Sequence, residues 1–529
     1  MKIKLKYVFL LMALLGGLAF AGCKDELADD NTVVPPEVTP GPDTETAVLY
    51  NWPECEPSST AYSVRVNGTP YFVFPVPQTN WREEGIVDFF YPHIVMFDIK
   101  GEVQIDITST ERVHTVKIRP ERANIAHTRR GNTISITLTK PQQLSVEIND
   151  DLEKPLLIFA SPPETEADIP DKNDPNVLFY ESGQTHTAAE VLPSNATVYI
   201  APGAVVYGYF KTSDKMVHRN IRITGRGILS GTKLELLERL QYWGGENPIA
   251  IFHTDGVFLE GITLVDCKNW CVYIPNGNNV TVRGVKCVSN TGWEDGIDVA
   301  SCTNVLIEDC FVRAKDDCFS PKAYDAGLER NLEDVVIRNC IIWNGNHGFA
   351  IKIGPDMMVP HVRRITFENI DIIHAQNCGY ADGGAMEEGA IGLWNDGIAI
   401  MEDIVFRNIY IEDAERWLFI FSVYDSTPEG ETIWWDVPTT GRIRNVLLEN
   451  IHVTSTRGKL GNIIGGMDAD RSVDGVTFRN LFINGEKITG MPNNEGAPYY
   501  LRDCWYCDKW PDPTDCHLID CHRYNIKFE

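Results

Sequence analysis

Basic residues are scarce in this chain of 529 residues, which has 47 Lys and Arg against 74 Asp and Glu and a formal net charge of −27. Phosphate recognition needs a basic patch, so this deficit argues against DNA or RNA as a partner. Disorder is excluded for most of the chain, because 43% of the residues are hydrophobic and 10% are aromatic, enough to build a large core.

Long apolar runs are also missing. The apolar stretch from Tyr7 to Phe20 follows three lysines and is too short to span a bilayer, so residues 1–22 are predicted to be a secretion signal. The signal ends in Phe20-Ala21-Gly22-Cys23, which resembles a bacterial lipobox, and Cys23 would carry the lipid. The alternative is an ordinary signal peptide followed by a chance cysteine.

Lys24-Asp25-Glu26, directly after Cys23, is similar to the signal with which some Gram-negative bacteria send lipoproteins to the outer face. We therefore expect an outer-membrane lipoprotein at the cell surface, with the periplasmic face as the alternative. Residues 23–47 are rich in Pro, Thr, Asp and Glu and are predicted to be a disordered tether.

Short runs of alternating apolar and polar residues fill residues 48–175, as in Tyr62–Val66, Val103–Ile107 and Thr133–Leu138. Period two with Gly, Pro and Asn between the runs predicts half-buried antiparallel strands. The regular spacing predicts a small β-sandwich domain ahead of the rest of the chain.

A nine-residue unit recurs through residues 176–529 at intervals of 23 to 42 residues, and the 3.6-residue period of helical repeats is absent. Such intervals predict stacked solenoid turns, here a parallel β-helix. The sixth position holds residue types that tolerate a left-handed backbone: Gly225, Gly261, Gly284, Asp309, Asn339, Asn369, Asn408, Asn450 and Asn480. We expect successive Asn side chains to hydrogen-bond along the stack, and the mostly apolar seventh position to face inward.

One group of acids departs from the repeat. Asp295 precedes Asp316 by 21 residues, about one minimal turn, and His347 follows Asp316 by 31 residues. Asp295, the Asp316-Asp317 pair and His347 should therefore line one face on three consecutive turns. Close carboxylates repel, which raises the pKa of at least one, and glycoside hydrolysis needs a protonated carboxyl beside ionised ones. Asp pairs that cap turns or bind Ca²⁺ are the alternative.

Asp298 and Asp309 are interpreted instead as bend residues of the solenoid, because Asp is common at such bends.

Three motifs carry a specific resemblance: Asp295-Gly296-Ile297-Asp298, Asp316-Asp317-Cys318 with Lys322, and Gly345-Asn346-His347-Gly348. They resemble the active-site motifs of glycoside hydrolase family 28, the polygalacturonase family. The resemblance implies a right-handed parallel β-helix and inversion of the anomeric configuration without a metal or other cofactor. It also implies that Asp316 is the general acid, that Asp295 and Asp317 hold and activate water, and that His347 supports the site.

Two departures from the family pattern bear on the substrate. Trp293-Glu294 stands where the family has Asn-Thr, and Ala390–Asn395 stands nearest the place of the Arg-Ile-Lys that grips a uronic acid. The latter favours a neutral sugar, which stacks on an aromatic face such as that of Trp394. The alternative for Trp394 is a place in the core. The residues expected to contact the substrate are Lys322, Lys352, Trp293 and Trp394.

The predicted sandwich ahead of the β-helix is similar to family 49, the dextranase and isopullulanase group of the same clan. The stretch Val198–Val206 resembles the β-helix entry of both families. The resemblance implies α-glycans as the substrate class.

Cysteines are concentrated near the C-terminus, at Cys504, Cys507, Cys516 and Cys521. In an exported protein they are predicted to form disulfides that staple a cap on the last turn, with a zinc site as the alternative. A local bridge between Cys267 and Cys271 is expected, whereas Cys310 and Cys340 should be buried thiols.

The sequence thus predicts an all-β surface lipoprotein in which a β-sandwich precedes a right-handed parallel β-helix. The predicted function is inverting hydrolysis of α-glycosidic bonds in a poly- or oligosaccharide, by a monomer that contacts the membrane only through its lipid. A polysaccharide lyase and a non-catalytic glycan-binding lipoprotein are the alternatives.

Overall fold

The computed structural model describes residues 45–76, 91–234, 247–289, 294–324, 330–345, 348–376, 388–424, 439–455, 459–494, 496–502 and 521–529. The predicted signal peptide, Cys23 and nearly all of the predicted tether lie outside these residues, and so do Trp293 and His347. No helix in the described ranges is long and apolar enough to cross a membrane.

The N-terminal region consists of two sheets. Its strands are β1 (Ala47–Leu49), β2 (Tyr62–Val66), β3 (Thr69–Tyr71), β4 (Phe74–Pro75), β5 (His93–Ile99), β6 (Val103–Ser109), β7 (Val116–Arg119), β8 (His127–Arg130), β9 (Thr133–Leu138), β10 (Gln142–Ile148) and β11 (Leu156–Ser161). One sheet has the order β1-β5-β11-β10-β7 with β4 paired to β5, and the other has the order β3-β2-β6-β9-β8. A 3₁₀ turn, Glu121–Ala123, follows β7.

Alternating side chains of the two sheets share one core, as the period-two pattern predicts. In β2, Tyr62, Val64 and Val66 are buried while the residues between them are exposed. They join a cluster with side chains of the other sheet such as Val95 and Leu144. One pairing departs from the antiparallel expectation, because β5 and β11 run parallel. The chain crosses to the other sheet between these two strands, so they can enter their own sheet in the same direction.

The described residues from Val177 onward form a parallel β-helix. Its strands are β12 (Val177–Tyr180), β13 (Thr185–Val191), β14 (Thr197–Ile200), β15 (Val205–Lys211), β16 (His218–Gly225), β17 (Ile228–Ser230), β18 (Ile249–Ala250), β19 (Thr254–Glu260), β20 (Thr263–Val265), β21 (Val272–Pro275), β22 (Asn278–Arg283), β23 (Lys286–Val288), β24 (Ile297–Ala300), β25 (Thr303–Glu308), β26 (Phe311–Ala314), β27 (Leu332–Arg338), β28 (Ile341–Asn344), β29 (Ile351–Ile353), β30 (His361–Ala375), β31 (Ile391–Asn395), β32 (Ile400–Ile411), β33 (Trp417–Val423), β34 (Arg442–Val453), β35 (Leu460–Gly465), β36 (Val473–Ile483), β37 (Glu486–Lys487), β38 (Tyr499–Arg502), β39 (Arg523–Tyr524) and β40 (Lys527–Phe528). The predicted all-β fold class with a long parallel β-helix is confirmed.

The nine-residue units stack in register. Their second positions pair from turn to turn in one column: Ile221, Val257, Val280, Val305, Val335, Ile365, Ile404, Val446 and Val476. Burying each such aliphatic side chain contributes about 1.5–3 kcal/mol, and the column repeats this on every turn.

Two positions of each nine-residue unit have a left-handed backbone. The predicted sixth position has positive φ in every unit, for example 57° at Asp309 and 55° at Asn408. The first position is also left-handed, as at Asn279 and Arg364, which the sequence analysis did not predict. The seventh-position side chains that the sequence predicted to face inward, such as Ile370, are fully buried.

The predicted asparagine ladder is present at the sixth position. Each Nδ2 donates to the Oδ1 of the preceding turn, at 3.3 Å from Asn369 to Asn339, 3.1 Å from Asn408 to Asn369, 3.0 Å from Asn450 to Asn408 and 3.1 Å from Asn480 to Asn450. Such ladders satisfy side-chain amides within the stack and lock its register.

An apolar face of the β-helix packs against the first sheet of the sandwich. Phe74, Met96 and Phe159 of the sandwich join Phe311 and Trp343 of the β-helix in one buried cluster. This cluster fixes the sandwich against the face built from β15, β17, β20, β23, β26 and β28.

The structure corrects one cysteine prediction. Cys267 and Cys271 are free thiols rather than a bridge, and both side chains pack in the apolar core of the β-helix. Cys310 and Cys340 are buried thiols, as predicted. Cys504, Cys507 and Cys516 lie outside the described residues, so the predicted disulfide-stapled cap stays a prediction.

Candidate active site

The predicted acids lie where three turns of the β-helix meet. Isolated bridges pair Ile297 with Phe319, and Phe319 with Ile351, so these three residues are neighbours on successive turns. Asp295 and Asp317 each precede their bridge residue by two positions, and the Gly296 amide donates to the Asp317 carbonyl oxygen at 2.8 Å. The prediction that they occupy adjacent turns is confirmed.

Three carboxylates converge at this point. Asp295, Asp316 and Asp317 each offer a carboxylate oxygen, and these atoms lie within 4.8 Å of one another. All three residues are buried, with exposed fractions of 3%, 7% and 2%. Carboxylate oxygens at this spacing could also hold a cation, so the geometry alone leaves both uses open.

Backbone amides hold the pair of consecutive acids in place. Asp317 Oδ1 accepts from the Phe349 amide at 2.8 Å, and Asp316 Oδ1 accepts from the Asp317 amide at 3.0 Å. Asn344 Nδ2 donates to the Asp316 carbonyl oxygen at 3.1 Å. The side chains are therefore fixed by groups on their own turn and on the next one.

Gly348, the last residue of the Gly-Asn-His-Gly motif, must be a glycine. Its φ is +71°, and a Cβ atom there would stand 2.5 Å from the Asp316 carbonyl carbon and the Asp317 nitrogen. Any side chain would push the neighbouring acids out of place. The Gly348 amide donates to Glu388 Oε2 at 2.7 Å, which ties the following turn to the site.

Two buried lysines neutralise part of the cluster. Lys322 Nζ lies 2.7 Å from Asp295 Oδ2 and 3.1 Å from Asp298 Oδ2, and Lys352 Nζ is ion-paired with Asp317 Oδ2. Burial acts to lower the pKa of both lysines, but the facing carboxylates outweigh it and raise both. Both lysines are therefore charged at neutral pH and are bound to the acids.

Asp295 has a pKa that is clearly shifted by its surroundings. Burial raises the pKa of its carboxyl to about 7, Lys322 opposes the rise, and Asp316 and Asp317 add to it. A carboxyl that gains or loses its proton near neutral pH is a common property of catalytic acids and bases.

Asp298 corrects the sequence interpretation, which treated it as a bend residue. It lies inside β24, is fully buried, and shares Lys322 with Asp295. Burial, followed by the charge of Asp295, raises the pKa of its carboxyl. Asp309 lies at a left-handed bend, in agreement with the sequence interpretation of it as a bend residue.

Trp394 differs from the predicted substrate contact and is a core residue, whereas the prediction for Trp293 lies outside the described residues. Trp394 is only 3% exposed and packs edge-on against Phe349 and Tyr424, so its faces are not open to a sugar. Trp270, which the sequence analysis missed, is partly exposed and lies with its ring centroid 3.9 Å from Lys322 Nζ. No local motif marks Trp270, because it reaches the site only through a lysine on a later turn.

The fold and the site together resemble those of the glycoside hydrolases that are built on a parallel β-helix with clustered carboxylates. The profile of the family "Glycosyl hydrolases family 28" matches residues 245–495, which include all three acids and both lysines. A probable exopolygalacturonase B from Aspergillus terreus is 26% identical over 276 residues, 47% of this chain and 57% of its own length. An isopullulanase from Aspergillus niger is 25% identical over 362 residues, 56% of this chain and 58% of its own length.

Among solved structures, Dex49A from Penicillium minioluteum aligns with a TM-score of 0.57 at 14% identity, covering 91% of this chain and 96% of that one. This similarity shows the shared fold. The chain spans little more than half the length of the relatives named above. The predicted resemblance is confirmed: residues 245–495 are similar to the family 28 glycoside hydrolases, and the chain is also similar to an isopullulanase and, in fold, to Dex49A.

Proposed function

We propose that this protein hydrolyses α-glycosidic bonds of a poly- or oligosaccharide by acid/base catalysis. The observation that carries the proposal is the convergence of the Asp295, Asp316 and Asp317 oxygens within 4.8 Å on adjacent turns. Buried carboxylates this close cannot all ionise freely, so the site can hold a proton donor beside a proton acceptor.

In the proposed reaction Asp316 donates its proton to the glycosidic oxygen as the bond to the anomeric carbon breaks. Asp295 and Asp317 orient a water molecule and accept the proton that it loses as its oxygen attacks that carbon. Lys322 and Lys352, which pair with these two acids, keep them fixed and favour their ionised forms. His347 is proposed to support the site, as the family resemblance implies.

We propose inversion of configuration on the basis of the resemblance. The distance argues the other way, because oxygens within 4.8 Å are nearer to the spacing of a retaining pair, about 5–5.5 Å, than to that of an inverting pair, about 6.5–9.5 Å. Proton NMR of the first product formed distinguishes the two, since an inverting enzyme releases the β-anomer from an α-linked substrate. Initial release of the α-anomer would contradict the proposal.

We propose a neutral sugar at the point of cleavage. Both lysines expected to contact the substrate are bound to site carboxylates, which leaves neither free to grip a uronic acid. On the next turn Gly392 stands beside Lys352, and a Cβ there would lie 2.7 Å from the Phe349 ring. That position therefore supplies no cation, and Trp270 is the proposed stacking surface.

The decisive variant is Asp316→Asn, which removes the proposed general acid with little change in shape. We expect the release of reducing ends from a panel of neutral and acidic α-glycans to fall by about 10²- to 10⁴-fold. The matched control is Asp403→Asn, an exposed acid at a left-handed bend where other turns carry Asn, and it should retain full activity.

Unchanged cleavage by Asp316→Asn would overturn the assignment. A UV-absorbing, unsaturated product would identify a lyase instead, and no cleavage of any glycan by the unaltered protein would favour a binding protein.

We further propose that the protein is exported and anchored as a monomer at the outer membrane through lipid on Cys23. Labelling with a radioactive fatty acid should mark the unaltered chain and leave Cys23→Ala unlabelled. Equal labelling of both would contradict the anchor.

A further inference from the structure

A cavity with a volume of about 590 Å³ lies between the sandwich and the β-helix, away from the carboxylate cluster. The sandwich lines it with the 3₁₀ turn, the turn Lys140–Gln143 and the end of β11. The β-helix lines it with bend residues of successive turns, among them Arg226 and Arg283. The cavity shares no residue with the carboxylate cluster.

The charge of this cavity is opposite to that of the whole chain. Five cationic side chains line it, namely Arg122, Lys140, Arg226, Arg283 and Lys286, against the three carboxylates Glu260, Asp309 and Asp371. The chain as a whole has a net charge of −27, so this cavity lining is much more positive than the rest of the protein.

Two of the five cations have a carboxylate partner at hydrogen-bonding distance, and a third, Arg226, has the longer ion pair described below. Arg122 is ion-paired with Asp371, and Arg283 Nε lies 2.7 Å from Glu308 Oε1. Their charges are largely balanced, so the charge available to a ligand belongs to the remaining three.

Arg226 and Lys286 are both buried, and neither has a carboxylate at hydrogen-bonding distance among the described residues. Arg226 Nε has no hydrogen-bond partner among the described residues and lies 3.8 Å from Asp98 Oδ1. Lys286 Nζ donates to two neutral oxygens, the Gly261 carbonyl at 2.9 Å and Ser161 Oγ at 3.4 Å.

Burial, followed by the charge of Arg226, lowers the pKa of Lys286 to about 7 despite the opposing pull of Asp98 and Glu260. Buried cations in this condition are stabilised by an anion brought between them.

We propose that this cavity binds a carboxylate-bearing, uronate-containing segment of a glycan, apart from the bond that is cleaved. The carboxylate would pair with Arg226 and Lys286, while exposed Lys140 holds a neighbouring unit. Widely spaced carboxylates fit better than a dense polyanion, because Glu260 and Asp309 would repel closely spaced charges. The volume is that of a typical small-ligand site. The choice of a glycan as the ligand rests on the proposed function. The presence of an anion-binding site lined by these cations does not depend on it.

Lysine acetylation measured by mass spectrometry tests the site in the full chain carrying Asp316→Asn, which prevents turnover. The probe is a hexamer of α-linked galacturonate, and the comparison is the same hexamer with its carboxyl groups reduced. We expect the acidic hexamer to slow acetylation of Lys140 at least fivefold, roughly what a charge-assisted contact provides. Exposed Lys100, also on the sandwich, should react as before.

Two variants complete the test by calorimetry. Lys140→Glu should weaken binding of the acidic hexamer about tenfold, the size of one charge-assisted hydrogen bond, and Lys100→Glu should not. Lys286→Gln should weaken it likewise.

Equal protection of Lys140 and Lys100, equal effects of the acidic and reduced hexamers, or equal affinity of the two Glu variants would each overturn the proposal. None of these results depends on hydrolysis, so a failure of this proposal can be distinguished from a failure of the proposed function.

Discussion

At the scale of single residues, Asp295 should set the pH dependence of the reaction. Burial raises the pKa of its carboxyl to about 7, against the attraction of Lys322. A base must be ionised, so the acid limb of the kcat/KM profile should fall as the pH drops through about 7, while the need for a protonated Asp316 limits the rate on the alkaline side. A pH profile of the free enzyme measures this midpoint directly. A limb near pH 4 would assign the shift to another group.

Lys322→Met should move the same limb to higher pH. The lysine lowers the pKa of Asp295, so its removal leaves burial and the two other acids unopposed by this charge. Lys100→Met, on the exposed surface of the sandwich, is the control and should leave the midpoint in place. A midpoint that stays put or falls in Lys322→Met would show that the ion pair does not set the titration.

The same residues show how far the sequence reaches into the site. Asp295, Asp316 and Asp317 could be predicted because motif and turn length both point to them. Asp298 and Trp270 could not, since each joins the site only through Lys322 from another turn. Trp394 was misplaced because its burial depends on Phe349 and Tyr424, contacts that no local pattern shows.

At the scale of elements, the stability that the asparagine ladder provides has two sources, the left-handed backbone and the side-chain hydrogen bonds, and two variants can separate them. Asn408→Ala removes the hydrogen bonds to Asn369 and from Asn450, and it places Ala at a φ of 55°. We expect a loss of about 2–4 kcal/mol in the free energy of unfolding from both effects together. Asn408→Gly loses the same hydrogen bonds but tolerates the left-handed backbone, so urea denaturation should place it about 1 kcal/mol above the Ala variant. Equal stability of the two variants would show that the backbone angle contributes nothing.

The repeat could be predicted from the sequence because every turn places the same residue types at the same buried and left-handed positions. A further regularity was present in the sequence without being interpreted. The fifth position alternates in charge, as Glu260, Arg283, Glu308, Arg338, Glu368, Arg407, Glu449 and Arg479. In the stack these residues are neighbours, and Glu308 pairs with both Arg283 and Arg338. Alternation of this kind penalises a shift by one turn, because it would bring like charges together.

At the scale of the whole molecule, the sandwich is held to the β-helix by a buried ionic network as well as by the apolar cluster. Arg119 pairs with Glu147 at 3.1 Å and with Glu412 at 2.7 Å, while His374 contacts Glu147 at 2.9 Å and Asp413 at 3.1 Å. The sequence could not predict this contact, because Glu147 and His374 are 227 residues apart and belong to regions with different repeats.

The network should make this docking depend on pH. Burial opposes the charge on His374, but Glu147 and then Asp413 outweigh it and raise its pKa above 6.5. Its contribution is therefore full below pH 6.5 and is lost as the pH rises through the raised value. Burial likewise opposes the charge on Glu147, but His374 and Arg119 lower its pKa below 4.5, so its contribution is lost as the pH falls through that lowered value. Burial raises the pKa of Glu412 in the same network to about 7, against Arg119, so this group also makes docking weaker as the pH rises. The three groups together predict tighter docking near pH 5 to 6 than at pH 9.

Glu147→Gln tests the network, since it leaves Arg119 and His374 buried without their shared carboxylate. We expect a loss of about 3–5 kcal/mol, the usual result of breaking a buried pair by removing one partner. The control is Glu111→Gln in the same sandwich, where an exposed pair with Lys154 should contribute less than about 1 kcal/mol. Calorimetric unfolding of the full chain at pH 6 should show an earlier sandwich transition in Glu147→Gln alone. The gap between variant and unaltered chain should narrow toward pH 9, because His374 loses its charge in both. A gap that is the same at pH 6 and pH 9 would show that the apolar cluster alone holds the two parts together.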